Sequence, residues 1–332
     1  MKACVYSDYG SPTVLRQMEI EKPTPAAAEI LVKVHAAGLN PVDWHLMRGT
    51  PYLLRMGSGL TKPKSIRRVG VDYSGTVEAV GHLVTEFKVG DPVFGGSLGA
   101  LAEYLTVPID RAVKKPDTLT FEQAAGVYIA GMTALQALRD RAHLQRGQKV
   151  LINGASGGVG TFAVQLAKVF DAEVTGVQSA RNVEMVRSIG ADHVIDYGKQ
   201  DFTAGGNRYD VIFDNVGNRS FSEVRRVLKS GGTYIPNGGG GPEDHLPVGR
   251  FVRMLAISPF ISQKIRFFVM KANSDDLQLL AQLMQAGRVR PVIDRSYPFS
   301  DTTEAMRYLE AGHARGKVVV RVESITSVHG AP

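Results

Sequence analysis

One cysteine, Cys4, stands in a chain of 332 residues. No intrachain disulfide can form, and a cysteine-rich zinc site is excluded. A single thiol suits a reducing compartment, and a cytoplasmic location is expected. Long hydrophobic runs are also missing. The most apolar stretch, residues 251–270, is interrupted by Arg253, Pro259, Lys264 and Arg266, a pattern that a membrane-spanning helix does not tolerate. The start, Met1-Lys2-Ala3-Cys4-Val5-Tyr6, has no apolar signal-peptide core, so no leader is expected. Acidic residues are absent from two stretches. Six cations lie between residues 48 and 68, and five between 250 and 271, with no Asp or Glu among them. The formal net charge is +7. A nucleic-acid binder gathers its basic residues on one element, whereas these clusters read as solvated loops and a rim near an anionic ligand.

What is present is ordinary for a soluble globular chain: 44% apolar and 21% charged residues. The length suits two domains, since one core rarely grows beyond roughly 250–300 residues. Residues 1–120 hold short β-branched runs, such as 29–36 and 72–80, separated by turns such as Val89-Gly90-Asp91-Pro92; this is an all-β domain. The rhythm changes near Thr120. A helical pattern is predicted over 121–141, with Thr118 or Thr120 as its cap. Strands are then predicted at 149–152, 173–177, 193–196, 210–214 and 233–235, with helices at 161–170, 182–189 and 220–228 between them. That alternation predicts a parallel, doubly wound sheet. Beyond about residue 270 the alternation stops. Helices at 275–286 and 302–311 and a closing strand at 317–322 follow, and residues 324–332 read as a frayed tail.

Gly154-Ala155-Ser156-Gly157-Gly158-Val159-Gly160 follows the apolar run Val150-Leu151-Ile152 and opens a helix. Three glycines alone are weak evidence, but between a strand and a helix they let backbone N–H groups approach a pyrophosphate at a helix N-terminus. The next strand ends in Gln178-Ser179-Ala180-Arg181-Asn182. An NAD site places Asp or Glu here for the ribose 2′-hydroxyl. None is present, and Ser179 with Arg181 suits a 2′-phosphate, so NADPH is the expected cofactor.

The set of motifs resembles the zinc-independent quinone oxidoreductase (zeta-crystallin-like) branch of the medium-chain dehydrogenase/reductase superfamily, over nearly the whole chain. It rests on Ala36-Ala37-Gly38-Leu39-Asn40-Pro41-Val42-Asp43-Trp44, Gly70-Val71-Asp72-Tyr73-Ser74-Gly75, Val89-Gly90-Asp91-Pro92-Val93, Ala130-Gly131-Met132-Thr133-Ala134, the glycine loop, Gly190-Ala191-Asp192, Asp214-Asn215-Val216-Gly217 and Gly316-Lys317-Val318-Val319. The resemblance implies an α/β chain: a GroES-like β-barrel catalytic domain from 1–120 and 273–332, a doubly wound Rossmann domain from 121–272, and a cleft between them. It implies that Tyr197 lies near the 2′-phosphate and that Asn215, Val216 and Gly217 lie beside the nicotinamide ribose. Asn237 and Gly238 would bring backbone to the nicotinamide, Thr133 would cap it, and Lys317 would reach the cofactor from the returning C-terminal segment. Alignment with the alcohol dehydrogenase branch puts Asn40, Val71 and Ile129 where that branch holds its catalytic zinc, and none is a usual zinc ligand.

Without zinc a carbonyl oxygen lacks a Lewis acid, so the expected acceptor is conjugated, a quinone or an α,β-unsaturated carbonyl, in which charge delocalises. Asn40, His45 and Tyr52 are the candidates for hydrogen-bonding its oxygen, with Tyr52 or solvent supplying the proton. Two rivals stand beside this reading: a zinc-independent alcohol/aldehyde oxidoreductase, and an NADPH-binding sensor or structural protein with negligible turnover. The Phe-rich stretch 257–270 resembles the outer Rossmann edge through which relatives pair, so a homodimer is expected.

Overall fold

The computed structural model describes residues 1–238 and 248–322, and the tail expected over 324–332 lies outside them. Val150-Leu151-Ile152 is apolar on both faces of its strand. Val150 and Ile152 pack with Met132, Phe162 and Phe213, while Leu151 packs with Ile212 and Tyr234 on the opposite face. Burial on both faces is the condition of a parallel strand covered by helices. Lys149–Asn153 is accordingly central in a six-stranded parallel sheet. Its order is His193–Asp196, Glu173–Gln178, Lys149–Asn153, Tyr209–Asp214, Leu228–Pro236, Lys264–Ile265. The order reverses between Lys149–Asn153 and Tyr209–Asp214, and the crevice beyond the carboxyl ends of such a pair is where ligands bind in open sheets.

A second sheet has seven strands. Ile293–Pro298, Lys317–Arg321, Glu29–Leu39, Asp72–Val80, Pro92–Gly96 and Ala112–Lys114 follow in order, with Tyr104–Pro108 also paired to Glu29–Leu39. It curls around Val32, Val34, Tyr73, Val93 and Leu105 and, with a small sheet containing Lys2–Tyr6, forms the GroES-like barrel. The chain's last described strand thus returns to the first domain. Lys317–Arg321 runs antiparallel to Glu29–Leu39, with Val318 opposite Leu39 and Val320 opposite Ala37.

The single helix expected over 121–141 is three pieces: Phe121–Ala125, Tyr128–Gln136 and a π-helical turn, Ala137–Arg141. The break at Gly126 has a partner from the barrel: Asp72 Oδ1 accepts the Ile129 N–H at 3.1 Å, satisfying a donor in the first turn of the second piece. Thr120 caps the first piece, its side chain accepting from the Gln123 N–H. Two strands escape sequence periodicity. Lys264–Ile265 is two residues long, and Ile293–Pro298 is Ile-Asp-Arg-Ser-Tyr-Pro, with little apolar alternation to read. The helix Pro41–Arg48 inside the β domain was not expected either; Pro41 stands at its first turn.

Candidate active site

The glycine loop is built by conformations that a side chain would forbid. Gly154 has φ +78°, and a Cβ on Gly160 would lie 2.0 Å from the Gly154 carbonyl oxygen. Gly154 and Ala155 both donate backbone N–H to Val177 O, at 3.1 and 3.2 Å, which fastens the loop to the neighbouring strand. The helix Gly158–Val169 then begins, and its first-turn N–H groups at Gly158, Val159 and Gly160 have no intrahelical partners. At Gly157 a Cβ would meet only Gly154 O, at 3.5 Å, so the loop surface there is open.

At the end of the adjoining strand Ser156 Oγ accepts from Asn182 Nδ2 at 2.9 Å, which ties the loop to the start of the helix Val183–Ser188. Ser179 is half-buried, and Arg181 is anchored through Nη2 to His313 O at 3.1 Å. Tyr197 is exposed, and its backbone N–H donates to Gln178 O at 3.1 Å. Two residues that sequence reasoning did not single out are buried here with unmatched polar atoms: both side-chain atoms of Gln178, and Asn182 Oδ1. A buried amide without partners costs about 1–3 kcal/mol, so such groups mark places where a water or ligand completes the bonding.

Across the switch point, Asp214 is fully buried and organises the other wall. Its carboxylate accepts from Asn153 Nδ2, Tyr234 OH and Gly217 N, each at 2.8 Å, and from Val216 N at 3.2 Å. The turn Asn215-Val216-Gly217 is therefore wrapped around one carboxylate. Asn215 Oδ1 accepts from Asn237 Nδ2 at 2.8 Å, and the Asn237 and Gly238 N–H groups donate to Asp214 O. Val216 lies against Gly154. The candidates from residues 154–160, 215–217 and 237–238 are thus neighbours. Thr133 is buried on the helix Tyr128–Gln136. Asp214 was legible as an acid closing an apolar strand, Val211-Ile212-Phe213, although only its neighbours were named as candidates.

On the barrel side Asn40 is buried at the start of the helix Pro41–Arg48, and its backbone N–H donates to Asp43 Oδ2 at 2.7 Å. Lys317 reaches this point. Its ammonium donates to Leu39 O at 3.0 Å, to Asn40 Oδ1, and to Asp72 Oδ2 at 3.4 Å. Its side chain also passes over the glycine loop, with Cδ 3.1 Å from where a Cβ on Gly158 would stand. The partners of its charge are therefore barrel groups, a different set from the cofactor expected of it. His45 is half-buried and stacked on Trp44 at 3.7 Å. Its Nδ1 sits 2.8 Å from Thr50 O. A carbonyl only accepts, so Nδ1 carries the proton and Nε2 of the neutral ring is an acceptor. Tyr52 is 59% exposed, with the Arg55 guanidinium 4.7 Å from its ring centre. Asn40 and Tyr52 thus lie at opposite extremes of exposure, with His45 between them.

Two titrations are set by burial here. Burial lowers the His45 pKa from its ordinary 6.5. Its neutral ring therefore contributes stability that is present above the unfolded value and is lost as pH falls through the lower folded one. Burial pushes the Asp43 carboxyl up to about 7, against the hydrogen bond from Asn40 and with the negative field of Asp72 adding to the shift. Its contribution is complete below the ordinary 3.8 and is lost as pH rises towards 7. Asp43→Asn should therefore remove a downward slope in stability between pH 4 and 7, read by denaturant melts across that range. A slope equal to the parent's contradicts the assignment.

A GroES-like barrel whose last strand returns to it, joined to a doubly wound sheet with a glycine loop at its switch point, defines the medium-chain dehydrogenase/reductase class. Sequence comparison agrees. The family described as alcohol dehydrogenase GroES-like domain matches residues 26–117, and the family described as zinc-binding dehydrogenase matches residues 189–320. The chain is 33% identical to a chloroplast envelope quinone oxidoreductase homolog of Arabidopsis thaliana, over 96% of this chain and 98% of that one. It is 34% identical to the NADPH-dependent alkenal/one oxidoreductase, chloroplastic, of the same plant, over 96% of this chain and 79% of that one. The solved structure of the quinone oxidoreductase from Coxiella burnetii superposes with a TM-score of 0.85 at 31% identity, covering 97% and 99% of the two chains. The protein belongs to the quinone oxidoreductase branch of the medium-chain dehydrogenase/reductase superfamily. The zinc named by one of the matching families has no fitting donor set here. Asn40, Val71 and Ile129 offer a carboxamide and two alkyl groups, and the described residues hold no group of three or more His, Cys, Asp or Glu that could hold a metal. Nor is any described helix long and apolar enough to cross a membrane.

Proposed function

We propose that this protein is an NADPH-dependent oxidoreductase that reduces a quinone or an α,β-unsaturated carbonyl without zinc. The observation that carries the reading is the loop at Gly154–Gly160, with its open surface at Gly157, beside a strand end that offers Ser179 and Arg181 and no acid. Bound NADPH supplies the hydride equivalent. The chain's own residues do the rest. Gly158, Val159 and Gly160 present backbone N–H groups to the pyrophosphate, and Gly157, whose own N–H is taken by Gly154 O, leaves the space open. Ser156, Ser179, Arg181 and Tyr197 serve the adenosine end, where the unmatched Gln178 side-chain amide and Asn182 Oδ1 offer further bonds. Asn215, Val216, Gly217, Asn237, Gly238 and Thr133 line the nicotinamide end.

For the acceptor, Asn40 is the strongest donor of the three candidates, since its amide can hydrogen-bond an oxygen that gains negative charge. The neutral His45 ring exposes an acceptor rather than a donor and so fits a water or a hydroxyl better than a carbonyl oxygen. Tyr52, at the surface, delivers a proton only if the segment that carries it moves inwards. We also propose a division into a catalytic domain, 1–120 and 273–332, and a Rossmann domain, 121–272. Cys4 is buried and burial pushes its thiol up to about 12, which fits a structural thiol; a cytoplasmic location is proposed from the single cysteine alone.

The deciding experiment is NADPH consumption, with NADH as control, against a quinone, an enone and a plain aldehyde, each with and without a chelator. Chelator-insensitive oxidation by the quinone or the enone is expected. Oxidation by the aldehyde alone favours the alcohol/aldehyde reading, and tight binding with no turnover favours a sensor. Arg181→Glu should weaken NADPH binding about 10- to 100-fold and change NADH binding less than about threefold, because it replaces a cation at a dianion by an anion. Equal losses for both cofactors would remove the 2′-phosphate role.

A homodimer is proposed through the outer edge of the six-stranded sheet. Among the described residues Lys264–Ile265 pairs on one side only, and Phe260 and Val269 near it are 85% and 84% exposed. An open edge flanked by exposed apolar residues invites pairing. Light scattering at micromolar concentration should give twice the chain mass; a monomer mass rejects it.

A further inference from the structure

Lys317 is 3% exposed, Asp72 0% and Asn40 2%, so the ammonium is buried. An ammonium has three protons and no acceptor capacity. Here they meet three acceptors: Leu39 O, Asn40 Oδ1 and Asp72 Oδ2. The charge is matched by Asp72, which is itself held by the Ile129 N–H. The strand register delivers the contact, because Val318 opposes Leu39 and the residue before one therefore meets the residue after the other.

Two consequences follow for Asn40. Lysine can only donate, so the atom facing it is the amide oxygen, and the NH2 points away from the ammonium. That NH2 also lends a hydrogen bond to the Asp72 carboxylate, and its bond to Gly38 O is long, at 3.4 Å, so that proton is weakly held. In addition, the Lys317 stem lies between Gly158 in the first turn of the loop helix and Gly126 at the helix break, 3.1 and 3.3 Å from the Cβ positions of those glycines. The residue that orients the Asn40 amide therefore also touches the phosphate loop.

We propose that Lys317 is a positioning residue: with Asp72 it locks the Asn40 amide, so that the proton now weakly shared with Gly38 O can hydrogen-bond the acceptor's carbonyl oxygen, and it ties that donor to the cofactor loop. The proposal rests on the reading of the site given above. Asp43 fixes the Asn40 backbone and adds a second buried carboxyl within the field of the ammonium.

Lys317→Met alone would strand Asp72, so the informative variant is Lys317→Met with Asp72→Asn, which removes both charges and keeps the volumes. It is compared with Asn40→Ala, with all three changes together, and with Lys317→Arg. In the double variant NADPH affinity should stay within about threefold, while kcat for a quinone or an enone falls about 10- to 100-fold, as in Asn40→Ala. The triple variant should lose no more than either, since both act through one amide. Lys317→Arg should recover kcat to within about fivefold. Multiplicative losses in the triple variant, or a loss of NADPH affinity with kcat intact, overturn the positioning role. If the double variant does not fold, Lys317→Arg decides: a kcat loss as deep as that of Asn40→Ala overturns it. An independent reading needs no turnover. The Asn40 side-chain NH2 resonances of the 15N-labelled protein should be sharp and slow to exchange in the parent and averaged in the double variant; unchanged resonances overturn the proposal even if no acceptor is ever found. Sharp parent resonances together with no turnover would leave the lock standing and reject the proposed reaction instead.

Discussion

Gly160→Val should abolish measurable NADPH binding while the protein stays folded. The first added carbon would stand 2.0 Å from Gly154 O and 2.8 Å from both Cα and the carbonyl carbon of Ala155. All three are backbone atoms, so no side chain can swing aside to relieve the overlap, and the loop must move off the helix. Once it moves, the N–H groups at the start of Gly158–Val169 no longer converge on one point, and the binding they share is lost together. The overlap lies at one end of the 12-residue helix, whose buried face, Phe162, Ala163, Leu166 and Ala167, is untouched. Titration of NADPH fluorescence should show affinity at least about 100-fold weaker, about 2.7 kcal/mol, with an unchanged circular dichroism spectrum. An affinity equal to the parent's would take the loop out of cofactor binding.

Asp214→Ala should combine the largest loss of stability with a loss of cofactor affinity. It strips partners from Asn153 Nδ2, Tyr234 OH and the Val216 and Gly217 N–H groups at one stroke. A donor left unsatisfied in the interior costs about 1–3 kcal/mol, and even with some water entry the total should exceed about 3 kcal/mol. For a protein of this size that lowers the thermal midpoint by about 4 °C or more. The turn Asn215-Val216-Gly217 loses its centre at the same time, so the stabilisation that saturating NADPH gives the parent should shrink. Tyr234→Phe removes one of the four donors without stranding another group in the protein and should cost only about 1 kcal/mol. Calorimetry with and without NADPH separates the two effects. A midpoint within about 2 °C of the parent would mean that Asp214 does not organise the wall.

The parallel sheet was legible because its signals are local. Val150-Leu151-Ile152 and Val211-Ile212-Phe213 are apolar on both faces, and each is followed within a few residues by turn formers. The glycine loop was legible for the same reason: strand, loop and helix are contiguous. Strands with no such pattern were not. Lys264–Ile265 is too short to show a period, and Ile293–Pro298 presents Asp294, Arg295 and Ser296 in succession. The helix break at Gly126 was hidden because the group that caps the second piece, Asp72, lies 57 residues away.

The candidate site divides in the same way. Residues 154–160 and 179–181 could be named because each occupies a fixed place after a recognisable strand, where a free backbone N–H or an absent acid has a direct chemical meaning, whereas 215–217 were named through the family resemblance. The partners of those residues could not. Sequence alone determined the sheet, the loop and the missing acid at the end of its second strand, since each follows from short-range periodicity and residue type. Only the tertiary structure decided that Lys317, 277 residues from Asn40, places its ammonium on that amide. It alone showed that Asp72 and Asp214 each hold a wall of the site and that the buried Gln178 side chain has no hydrogen-bond partner among the described residues. Those facts depend on strand register and on which polar groups burial forces together, and neither is written in the neighbours of a residue along the chain.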